Sequence, residues 1–89
     1  MNEMEQLRLK IAQIDEQLID LIAQRYHVAQ QIGAFKKQNK LPVYDQARES
    51  LLHEFHINAC SKYDIPQEII NKIFAILMDE ARKVQKDEH

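Results

Sequence analysis

The sequence carries almost nothing that interrupts regular backbone, with one glycine and two prolines in 89 residues. Each of Gly33, Pro42 and Pro66 is therefore informative where it stands. A single cysteine, Cys60, excludes an internal disulfide and fits a reducing compartment. Positive charge is not in excess. The net charge of −2 argues against the basic footprint of a nucleic-acid binder. No apolar run is long enough to span a membrane. The opening Met1-Asn2-Glu3-Met4-Glu5 is polar and acidic, without the apolar segment of a secretory signal, so a cytoplasmic location is expected. Internal repeats and low-complexity segments are missing too. What is present is 45% apolar and 29% charged, the balance of a folded chain rather than a disordered one. The length sets a single domain, residues 1–89.

The dominant pattern is one amphipathic stretch. Steps of four and three residues pick out Leu7, Ile11, Ile14, Leu18, Leu21, Arg25, Val28, Ile32 and Phe35, a seam of the coiled-coil kind. Asn2 is placed to cap this helix, with Glu5 in capping-box spacing. Gly33 is tolerated inside it at about 1 kcal/mol against alanine, and lets another backbone or a ligand come close. Basic residues fill its last turn, and Pro42 forbids continuation. A helix over residues 2–39 is about 55 Å long. The remaining chain is too short to cover such a seam, so an intertwined homodimer is expected.

Two shorter helices follow. Asp45 reads as the N-cap of the second, whose inner face carries Leu51, Leu52, Phe55, Ala59 and Tyr63. Asp64 reads as the cap of the third, with Pro66 in its first turn and Gln67 in capping-box spacing. The third helix buries Ile69, Ile70, Ile73, Phe74, Leu77, Ala81 and Val84. His53, His56 and Cys60 share one helix face, which reads as a solvated face with a buried cysteine, because a fourth metal ligand is not evident. The fold class is all-α, three helices per chain with a very long first one.

Three polar side chains interrupt or edge the apolar faces: Arg25, Lys36 and Gln85. Arg25 and Lys36 lie about three turns apart, within roughly 20° on one face and about 16 Å along the axis, so they can converge on a small dianion. Arg8 lies about 25 Å before Arg25 and is rotated by roughly 100°, out of reach within one chain. In an antiparallel pair of copies, Arg8 of one approaches Arg25 of the other. Arg48 and Glu49 occupy the first turn of the second helix, where a glutamate is ordinarily dipole-stabilising. For Arg25 alone, an interhelical ion pair is the structural alternative.

Taken in order, Leu7-Arg8, Ile14-Asp15, Arg25, Ile32-Gly33, Lys36, Leu41-Pro42-Val43, Asp45, Arg48-Glu49 and Gln85 resemble the all-helical (AroQ-class) chorismate mutases in their free-standing form. The resemblance runs from Leu7 to Gln85. It implies an intertwined dimer of three-helix chains and an isomerase of the shikimate pathway. Such an enzyme converts chorismate to prephenate for phenylalanine and tyrosine synthesis, without cofactor or metal. It also implies roles. Arg25 and the other copy's Arg8 bind carboxylates, and Lys36 serves a carboxylate and the ether oxygen. Gln85 is the second donor to that oxygen, and Glu49 accepts from the ring hydroxyl. Asp45 and Arg48 shape that end of the pocket, while Ile32 and Leu52 are apolar walls. At Ala81 the family often has serine, so one substrate contact is reduced to a methyl group. Two alternatives stay open: an isochorismate-pyruvate lyase or aminodeoxychorismate mutase on the same scaffold, and a non-catalytic helical dimerisation module.

Overall fold

The computed structural model describes residues 2–88, with side chains through residue 87, so the ends of the expected 1–89 domain lie outside the described residues. Three helices follow in order: α1 (Glu3–Gln38), α2 (Gln46–Tyr63) and α3 (Gln67–Glu88). The start of α1 forms where a local side chain can satisfy an orphan amide. Asn2 Oδ1 accepts from the Glu5 N–H at 2.8 Å. Its other end closes through backbone bonds and one side-chain bond, Asn39 Nδ2 donating to Phe35 O at 2.9 Å. Leu41 N–H donates to Lys36 O at 2.8 Å and Lys40 N–H to Lys37 O at 3.3 Å, the paired bonds of a Schellman turn. Lys40 takes the left-handed position at φ 55°, where glycine is the usual occupant. Asp45 starts α2 by accepting from Arg48 N–H at 3.1 Å.

Asp64 does not do what its sequence position suggests. It ends α2 in the left-handed region, at φ 52° and ψ 52°, with its N–H on Cys60 O, and Pro66 immediately precedes α3. An aspartate between two helices suits either task, because its short polar side chain tolerates the left-handed region as well as capping an N-terminus.

Helix α3 returns beside the C-terminal half of α1 and runs parallel to it, Leu77 opposite Arg25 and Gln85 opposite Lys36. It runs antiparallel to α2, whereas α1 and α2 do not pack on each other among the described residues. Ala29 and Gly33, one turn apart on α1, are buried. With Gly33 in ordinary helical geometry, its service is the missing side chain, which admits a neighbouring helix.

The buried apolar core of one chain is small: Ala29, Cys60 and Val84. The seam of α1 is open instead, with Leu7, Ile11, Ile14, Leu18, Leu21, Val28 and Phe35 all about half or more exposed. On α2, Leu51, Phe55 and Tyr63 also face outward, as do Ile69 and Ile73 of α3, against the inward faces the periodicity predicts. Periodicity reports which face is apolar, not what covers it. His56 is a second correction, since it is buried rather than solvated. Its ring stacks on Phe74 at 3.8 Å, so the burial comes from α3 and not from the pattern of α2.

Candidate active site

A cavity of about 260 Å³ opens where the C-terminal end of α1, the 39–45 connection, the start of α2 and the end of α3 meet. That volume suits a small molecule. Arg25, Lys36, Asp45, Arg48, Glu49, Ala81 and Gln85 all line it, with Ile32 and Leu52 among its apolar walls. Arg8 is exposed and does not line it.

Lys36 is the best-anchored group. Its Nζ donates to Val43 O at 2.7 Å and to Gln85 Oε1 at 2.7 Å. An ammonium has three donors, so one N–H remains for a ligand. The bond to Gln85 also fixes that amide: its oxygen is taken by the lysine, which leaves its NH2 group as donor. The Schellman turn at Lys40 sets the direction in which the chain leaves α1 and so delivers the Val43 carbonyl to Lys36.

Arg25 is half-buried beside α3. One Nη1–H reaches Leu77 O at 3.3 Å, and the guanidinium lies 6.0 Å from the Phe74 ring centroid. It makes no ion pair among the described residues, so the interhelical salt bridge that would explain it structurally is not formed within one chain. Burial pushes its pKa below the ordinary value. Behind Phe74, burial, the Arg25 charge and His53, in that order, hold His56 below its usual pKa. The site is thus ringed by cations that the chain itself neutralises only in part.

A family model, Chorismate mutase type II, matches residues 7–86. The chain belongs to the type II chorismate mutase family. A chorismate mutase of Methanocaldococcus jannaschii is 31% identical over 81 residues, 91% of this chain and 82% of that protein. A bifunctional chorismate mutase/prephenate dehydratase of Buchnera aphidicola is 28% identical across 96% of this chain, which spans only 22% of it. A T-protein of Haemophilus influenzae is 30% identical across 91% of this chain and 22% of its own length. Family membership agrees with the resemblance drawn from the motifs and with the all-helical fold.

Two polar contributions to the cavity are not found by sequence reasoning. Val43 contributes a carbonyl, which no side-chain pattern reveals. Arg82 lines the wall and donates from Nη1 to Glu49 Oε1. A charged residue near the end of a helix reads as solvated. The one available signal is its spacing, since Met78, Arg82 and Gln85 fall at i, i+4 and i+7 and line the same cavity.

Proposed function

We propose that this chain, a chorismate mutase by family, rearranges chorismate to prephenate as a homodimer with two sites, each completed by Arg8 of the other copy. The observation that carries the reading is the pair Arg25 and Lys36. Both face one cavity, and neither has a carboxylate partner among the described residues. A partly buried cation is costly without an anion, and a dicarboxylate supplies two.

The reaction breaks a C–O bond and forms a C–C bond within one molecule, so no nucleophile, metal or proton transfer is needed. The protein's task is to hold the enolpyruvyl tail over the ring and to meet charge as it develops. Arg25 and the second copy's Arg8 clamp the carboxylates and remove conformational freedom before the barrier. The free N–H of Lys36 and the NH2 of Gln85 point donors at the ether oxygen, where negative charge grows as the bond breaks. Such donors act most strongly in the transition state, at about 3 kcal/mol each. Glu49 accepts from the ring hydroxyl, and Asp45 and Arg48 form that end of the pocket. Ala81, in place of the family's frequent serine, forgoes a neutral hydrogen bond of about 1 kcal/mol, which weakens substrate affinity.

A second copy is supported by the uncovered seam of α1 and by the distance of Arg8 from its own cavity. The cytoplasm is the matching location, supported by one free, buried cysteine. No helix among the described residues is long and apolar enough to cross a membrane.

The test is loss of chorismate by the purified protein, compared with Lys36→Ala. The wild type accelerates the reaction, whereas the variant loses at least about 100-fold in kcat with unchanged helicity. A wild type without turnover, or a variant that keeps it, overturns the reading.

A further inference from the structure

The ring end of the cavity holds an ion pair that the mechanism above does not use. Arg82 and Glu49 meet side chain to side chain across the α2–α3 contact, and both are largely shielded, at 35% and 22% side-chain exposure. Arg82 also lies 3.6 Å from Asp79, one turn back on its own helix. That carboxylate is exposed and shared with Lys83 at 3.4 Å, so Glu49 is the partner on the cavity side. Around the cavity, Arg25, Lys36, Arg48 and Arg82 face Asp45 and Glu49, leaving two positive charges in excess. Without Arg82 that excess falls to one, and Glu49 becomes an unneutralised anion at the ring end. The pairing takes one carboxylate oxygen and leaves the other as an acceptor.

We propose that Arg82 is a specificity-determining residue: by pairing with Glu49 it makes the ring end neutral, so a substrate's ring hydroxyl is accepted and a ring ammonium is rejected. This rests on the reading of Glu49 as the hydroxyl's acceptor. A lone carboxylate welcomes a cation. A carboxylate already bound to a guanidinium offers a hydrogen bond without net charge, and the guanidinium repels a second cation placed across it.

The experiment compares kcat/KM for chorismate and for aminodeoxychorismate, in which an amine replaces the ring hydroxyl. The proteins are wild type, Arg82→Met, Arg82→Lys and Glu49→Gln, each checked for helicity and oligomeric state. Arg82→Met is expected to move the ratio toward the amine by about tenfold, a modest value for one partly screened charge. Arg82→Lys keeps the charge and holds the wild-type ratio within about twofold. If Arg82→Met disturbs folding, Arg82→Gln replaces it, and where turnover is too slow calorimetric Kd values for the two compounds give the ratio. An unchanged ratio in the neutral variants, with Glu49→Gln shifting it, overturns the role of Arg82 alone. A ratio that Glu49→Gln also leaves untouched overturns the reading of Glu49 beneath it. A merely structural arginine lowers both substrates together and leaves the ratio where it was.

Discussion

Lys36 and His56 show two ways in which a side chain depends on a distant segment. Lys36 is fixed by the Val43 carbonyl and the Gln85 amide, so three separate stretches of chain orient one ammonium. His56 is buried against Phe74, with its pKa lowered by burial first, then by Arg25 and His53. The neutral ring is the form the fold favours, so unfolded chains take up the proton more readily as pH falls. Stability is therefore complete above the ordinary histidine value of 6.5 and is lost as pH drops below it toward the lowered folded value. We expect the Tm of the wild type to fall between about pH 7 and 5, and that of His56→Phe to fall less. Parallel Tm curves for the two proteins rule this out. Both residues also mark the reach of sequence reading. Lys36 stands out because a cation is unexpected at the edge of an apolar face, whereas the partners that position it and the ring that buries His56 come from elsewhere in the chain.

Among the elements, what a side chain does to its neighbours in sequence was legible and what a remote helix does was not. Asn2 and Asp45 cap as their spacing predicts, because a cap is a bond across three residues. The position of Asp64 predicts a helix start and the residue forms a helix end, since both tasks favour the same residue type. The stripe of α3 is right at Phe74, Leu77, Ala81 and Val84, yet Ile69 and Ile73 face out, a distinction that depends on where α1 and α2 lie. The candidate cavity is legible through Arg25 and Lys36, through Asp45, Arg48 and Glu49, and through Ala81 and Gln85, whereas Arg8 does not line it within one chain. Arg82 is not legible, because a surface charge and a cavity charge look alike in one dimension. The Schellman turn supplies a prediction at this scale. Lys40 holds φ 55° without being glycine, so Lys40→Gly should raise stability by about 1 kcal/mol in urea unfolding. A loss of stability refutes it and shows that the lysine side chain outweighs its backbone strain.

The molecule measures 57 × 25 × 16 Å with a radius of gyration of 16.5 Å, where a compact chain of this length has about 12 Å. Its length is that of α1, and most apolar side chains of that helix are uncovered. The proposed dimer predicts complementation between two dead proteins. Arg8→Ala and Arg25→Ala are each expected to lose most activity alone. Co-expressed, half of the pairs are mixed and each mixed pair keeps one intact site, so about a quarter of wild-type activity should return. Activity that stays at the level of the single variants rejects shared sites. In the proposed dimer, the open face of α1 also makes abundance a form of control. Where chains become too dilute to find each other, each forfeits its shield and its borrowed arginine in the same event, so catalysis and conformational integrity are expected to fade together.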